Sequence, residues 1–144
     1  MGEIYGRTQV LVPSGAQTAS GNSGPLNLSA PPDHLNLLLN VTAVAGTGPT
    51  LDVYVQTSLD GGTTWYDFVH FNQVTAVGEQ VAQWSQWNAA NANKAPTVTG
   101  DAVLAAATVI NGPIVPQQVR VKWVIGGTSP SFTFAVTAAM SRAT

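Results

Sequence analysis

The feature that most limits what this chain can become is a period of two in its apolar residues. Leu35, Leu37, Leu39, Val41 and Ala43 alternate with His34, Asn36, Asn40 and Thr42, Leu38 being the exception. Leu51, Val53 and Val55 alternate with Asp52, Tyr54 and Gln56. Val119, Val121, Trp123 and Ile125 do so with Arg120, Lys122 and Val124, and Phe132, Phe134 and Val136 with Thr133, Ala135 and Thr137. Successive strand side chains point to opposite faces, so each run predicts a strand with one buried face. Asp101 is placed to cap a short helix over 102–108, but Val103-Leu104 and Val109-Ile110 read equally well as strand.

The strongest local prediction is a hairpin over Thr50–Phe71. Its first strand is 51–57, Asp60-Gly61-Gly62 reverses the chain, and Trp65, Phe68 and Phe71 load the second strand with aromatic area. Together with Tyr66 and Val69 these residues occupy both phases of the strand, which predicts cover on both faces. Gly46-Thr47-Gly48-Pro49 and Gly127-Thr128-Ser129-Pro130 share one turn chemistry, each between two alternating runs. They read as the turns of two counterpart hairpins. Shorter alternating pieces lie at 25–29 and 78–84. With seven to nine strand candidates the fold class is all-β, an antiparallel β-sandwich of Ig-like or jelly-roll kind. Residues 1–24 read as an N-terminal arm or loop, in which only Val10-Leu11-Val12 suggests a strand, stopped by Pro13. Residues 25–144 read as the sandwich domain, with an irregular excursion at about 85–116.

Charge is scarce. Asp, Glu, Lys and Arg make up 8% of 144 residues, against about 25% in ordinary soluble domains. A surface of Thr, Ser, Asn, Gln and Gly suits a protein packed against copies of itself or a larger assembly. The net charge of −2 argues against nucleic acid, and Arg120 and Lys122 form the only basic pair, read as a solvated edge. No cysteine is present, so disulfides and thiolate metal sites are excluded. MGEIYGRTQV has neither a basic region nor an apolar core, so no secretory signal is expected, and no apolar run reaches the roughly 18 residues of a membrane helix.

Few residues suggest chemistry. Ser58, Asp60, Gly62, Thr64 and Trp65 complete the S-x-D-x-G-x-T-W pattern of the Asp-box, the turn that recurs once per blade in sialidase-type propellers. Its physics is structural: the Asp accepts backbone N–H bonds across the turn and the Trp packs beneath it. One copy in a chain too short for a propeller, without the paired carboxylates of glycoside hydrolysis, predicts a structural turn. His34 and His70 are the only histidines, and each reads as a surface or satisfied side chain rather than a metal ligand. Trp84 and Trp87 read as core or interface residues, or with Trp65 as a platform for sugar. No catalytic residue, cofactor or metal is expected.

Residues 41–71, VTAVAGTGPTLDVYVQTSLDGGTTWYDFVHF, and 119–138, VRVKWVIGGTSPSFTFAVTA, resemble small virion proteins of tailed bacteriophages. Leu51, Val53, Val55, Gln56, Ser58, Asp60, Gly61, Gly62 and Trp65 carry the first match, and Arg120, Val121 and Trp123 the second. The resemblance covers about half the chain and omits residues 1–24 and 78–116. It implies a capsid decoration, or cement, protein without enzymatic activity. Such a protein is made in the host cytoplasm and sits on the phage head exterior. Its partners are the major capsid protein and copies of itself, often as trimers, with neither nucleic acid nor membrane. A phage tail or head-completion structural protein is the nearest alternative, and a carbohydrate-binding β-sandwich module using Trp84 and Trp87 the next.

Overall fold

The computed structural model describes residues 4–29, 32–86, 98–111 and 118–143. Among these the protein is all-β and antiparallel. Its strands are β1 (Ile4–Gln17), β2 (Gly21–Asn22), β3 (Leu26–Asn27), β4 (His34–Thr57), β5 (Tyr66–His70), β6 (Gly78–Ser85), β7 (Thr108–Val109) and β8 (Gln118–Ala143). The alternating runs 34–45 and 51–57 are one strand, and so are 118–125 and 132–137. β4 and β8 pair with each other from His34↔Ser141 to Thr57↔Val119.

This corrects the reading of two counterpart hairpin turns. Residues 46–50 and 126–131 lie opposite each other and form one corner, where both strands bend together through register shifts. The local chemistry is the same in both. Gly46 and Gly127 have φ of 110° and 109°, and the residues two further on, Gly48 and Ser129, have 58° and 48°. A Cβ on Gly46 would stand 2.8 Å from Pro130 Cα, and one on Gly127 2.7 Å from the Gly48 carbonyl. Each glycine thus lets the opposite Gly/Ser-Pro step pass across it.

Beyond the corner the sheet continues as a second layer. The first layer runs β1, the end of β8, the start of β4, then β6. The second carries β2 and β3, the start of β8, the end of β4, β5, then β7. Leu35, Leu37, Leu39, Phe132, Phe134 and Val136 from the first layer join Leu51, Val53, Val55, Val119, Val121 and Trp123 from the second in a single buried cluster. Trp123 meets Phe134 edge-on across it, ring centroids 5.6 Å apart. The predicted antiparallel sandwich is therefore present, built from a sheet folded over itself.

The N-terminal residues differ from the arm or loop expected. Ile4–Gln17 is a full strand on β8, with shifts at Leu11 and at Pro13-Ser14. Pro13 does not stop it, because β1 is an edge strand and a proline at a bulge forfeits no ladder bond. Residues 18–29 then lie along the open edge of β8. Ser23 exchanges bonds with Val121, Ser20 Oγ accepts the Ile125 amide, and the Ala19 carbonyl accepts Trp123 Nε1 at 3.1 Å. Bare ladder groups on β8 are satisfied in this way.

Candidate functional site

Polar chemistry gathers on the outer face of the second layer. The strand period puts Asp52, Tyr54 and Gln56 of β4 on that face, and pairing brings Asp67 and His70 of β5 and Arg120 and Lys122 of β8 beside them. An outer sheet face is ordinarily wet, yet Gln56 is 0% exposed and Asp67 2%. Residues 99–110 cover them. They bridge to β5 through Asp67 N–Thr99 O, Ile110 N–Phe68 O and the two-residue β7.

Asp67 is the anchor of this cover. Its Oδ1 accepts the Ala102 amide at 2.9 Å and Gln56 Nε2 at 2.8 Å, and its Oδ2 accepts the amides of Val103 and Leu104 at 2.8 and 2.9 Å. Three successive N–H groups aimed at one carboxylate form an anion nest, and the φ of 55° at Ala102 is what turns the first of them inward. No helix forms over 102–108, contrary to one reading of the sequence. The Val103 and Leu104 amides that Asp101 would have capped are taken by Asp67, 36 and 37 positions away in the chain.

Asp101 serves the network differently. Its Oδ1 accepts Gln56 Nε2 at 2.6 Å and Lys122 Nζ at 2.9 Å, and its Oδ2 meets Arg120 Nη2 at 3.2 Å. Gln56 Oε1 accepts both Arg120 Nε and Nη2, at 2.9 and 2.7 Å, so this amide uses both donor hydrogens and both acceptor positions. Burial pushes the Asp101 carboxyl up. The hydrogen bonds from Gln56 and Lys122 and the charges of Lys122 and Arg120 together outweigh it and hold the group below its ordinary value. Arg120 and Lys122, read as a solvated edge, are instead paired on an interior strand of the sheet. Arg120 also lies over the ring of Trp65, its Cζ 4.8 Å from the centroid.

His70 closes the other end of the cover. Nδ1 lies 2.7 Å from the Leu104 carbonyl and Nε2 3.0 Å from Asp52 Oδ1, while Tyr54 stacks on the ring at 3.9 Å. Both oxygens only accept. A neutral ring donates to one of them, a doubly protonated ring to both. Burial raises the Tyr54 hydroxyl pKa, with the charges of Asp52 and Asp67 adding to it. His34 is apart from all this, exposed on the first layer. Among the described residues no three His, Asp or Glu side chains are grouped to hold a metal. Chemically, the cluster holds a loop: its carboxylates, amides and imidazole are spent on each other and on backbone.

The Asp-box residues lie together in one turn. Asp60 Oδ1 accepts the Thr64 and Thr63 amides at 2.8 and 3.1 Å and the Ser58 hydroxyl at 2.9 Å, and Ser58 Oγ accepts the Gly62 amide at 2.8 Å. These bonds, the Thr64 backbone bond foremost, lower the Asp60 carboxyl to about 2. Trp65 is buried beneath the turn. Trp84, a candidate for the interface or a sugar platform, is 2% exposed in the core and is presented to no surface partner. Trp87 lies outside the described residues. An open groove of about 340 Å³ separates β6 from β7, lined by His70, Asn72, Gln80, Ala82 and Thr108 among others. The network itself was not foreseeable as a unit, since Asp67 finds its main partners in backbone amides. Its one sequence signal is the polar phase Asp52, Tyr54, Gln56 on a strand whose neighbour also carries Asp67 and His70.

Comparisons with known proteins add little. No family model matches the chain, and no curated protein matches it. Among solved structures, a chain in the structure of infectious bursal disease virus Gx strain aligns with a TM-score of 0.41 and 11% identity. The alignment covers 96% of this chain and 32% of that one, so this chain spans about a third of its length. A likeness so slight carries no argument about role.

Proposed function

We propose that this chain is a structural protein of a virion, specifically a decoration protein. In this reading it binds the outside of a bacteriophage head, contacts the major capsid protein and copies of itself, and stabilises the shell without catalysing a reaction. The observation that carries the reading is the contrast between the two outer faces. On the second layer the ionisable groups are bonded to one another or to backbone within and beneath residues 99–110. On the first layer the outward residues of β8 and β4 are Thr, Ala, Ser, Asn, Leu and His, with no Asp, Glu, Lys or Arg. Such a face has area for contact and little charge to desolvate. The resemblance of residues 41–71 and 119–138 to small virion proteins of tailed phages points the same way. A protein that binds only the assembled shell stabilises it by mass action, which needs interface area and no reaction centre.

The test is to image intact particles and to challenge heads with and without the protein. Density on the head exterior, and heads that lose heat resistance without it, are the expected results. Density in the tail would move the protein to the alternative structural role, and absence from particles would end the reading.

A further inference from the structure

The outer face of the first layer carries one uncharged row across its four strands, apolar on three of them. Val10 on β1 pairs with Thr137 on β8, Thr137 with Leu38 on β4, and Leu38 with Val81 on β6. Paired residues share a face, and Thr137 points outward because Val136 and Ala138 are buried. The row ends on two valines that are 56% and 62% exposed. Leu38 is the residue that breaks the alternation of its strand: an apolar side chain in the outward phase of β4. The adjacent row, Thr8, Ala139, Asn36 and Gln83, is uncharged and exposed throughout. Among the described residues the face holds a single acid, Glu79, at the β6 margin.

We propose that this face pairs with the same face of a second copy, about a two-fold axis running along the strands. Such an axis reverses strand order and keeps strand position. β1 then lies over the partner's β6 and β8 over the partner's β4. Val10 meets the partner's Val81, Leu38 meets the partner's Thr137, and each contact occurs twice. The two copies of Glu79 stand at opposite margins, each over the β1 bulge at Pro13-Ser14, so no like charges face each other. Thr8 and Ala139 in one flanking row and Ala135 in the other are small and help the sheets approach to about the 10 Å of a sandwich. Four strands by the eight residues of β6 give roughly 500 Å² in each copy, or about 1,000 Å² in the pair, which reaches the lower bound of the area a specific interface needs. This pairing deepens the assembly role proposed above and takes its biological meaning from it.

The absence of native cysteine makes the test clean. The V10C/V81C double variant, oxidised gently at concentrations where the wild type is dimeric, should cross-link into a covalent dimer with two disulfides. V10C alone and V81C alone should cross-link at least tenfold more slowly. L38K, at a half-buried outward position, should weaken the dimer at least tenfold by sedimentation, with a melting temperature matching that of the wild-type monomer. Wild type that remains monomeric at ~100 µM overturns the pairing, as does a V10C variant that cross-links to itself as fast as the double variant. A solution trimer, or L38K dimers as tight as wild type, would also overturn it. If L38K instead abolishes uptake into particles while the wild type is monomeric, the face docks on the shell and the second copy is the wrong occupant. The cross-linking and sedimentation results do not bear on where the protein lies in the particle, which imaging decides separately.

Discussion

At the scale of single residues, burial and worth diverge. Trp84 is the larger part of the β6 contribution to the core, yet its Nε1 has no hydrogen-bond partner among the described residues. A buried donor left unpaired costs about 1–3 kcal/mol. Trp84→Phe removes that donor with part of the ring, so its cost should be held to about 1 kcal/mol by the offset. Trp123→Phe removes a satisfied donor, the bond to Ala19, together with part of the ring packed on Phe134. Denaturant midpoints should therefore rank Trp123→Phe as the more damaging change, although Trp84 is the more buried residue. The reverse ranking would show that the orphan donor is not a liability. Asp60 makes a prediction in pH. Its folded pKa, about 2, lies below the ordinary carboxylate value of 3.8. A depressed folded pKa contributes stability above the unfolded value and loses it as pH falls through the folded one. The turn should hold unchanged from neutral pH to about 4 and loosen between about 4 and 2. The Thr63 and Thr64 amide shifts should report it, and Asp60→Asn should abolish that titration.

At the scale of elements, the two long strands and the loop over them each depend on contacts far along the chain. At the corner, Gly46→Ala or Gly127→Ala places a methyl inside contact distance of opposing backbone at a φ near 110°. Neither neighbour is a side chain that can rotate away, so each variant should lose about 2 kcal/mol or more by chemical denaturation. Gly48→Ala, where a Cβ meets nothing within 4 Å, should lose less despite its positive φ. The alternation of β4 and β8 was legible because inward and outward residues differ in kind. The corner was not, because a Gly-x-Gly-Pro step announces positive φ without saying whether its flanks pair with each other or with another strand. The Asp-box turn was fully legible, since its donors and acceptor lie within seven positions. The excursion was opaque for the opposite reason. Asp67 holds it through the amides of residues 102–104, and amides leave no mark in a sequence. Asp67→Asn turns an N–H donor toward those amides and should cost about 2–4 kcal/mol. Hydrogen exchange at Ala102, Val103 and Leu104 should accelerate well before the core amides do. Equal acceleration everywhere would mean that the loop and sheet are one cooperative unit.

At the scale of the molecule, each layer is made from halves of the same two strands. Residues 34–45 and 50–57 are continuous in β4, as 118–126 and 131–143 are in β8, and their inward side chains share one cluster. Neither layer has a core of its own, so neither can persist once the other is lost. Unfolding should then be a single two-state transition. The tryptophans make this testable, because Trp84 reports on the first layer and Trp65 and Trp123 on the second. Variants keeping only one of these three reporters, with Trp87 also replaced, should show coincident fluorescence and far-ultraviolet midpoints, each matched to its own variant's circular dichroism. A first-layer reporter that melts separately from the second would mean the corner is a hinge between independent units. Refolding should be slow for the chain length, on the scale of milliseconds to seconds. The central ladder joins residues from 62 positions apart at Thr57↔Val119 to 107 apart at His34↔Ser141, so a long loop must close before its longest strands can begin to pair.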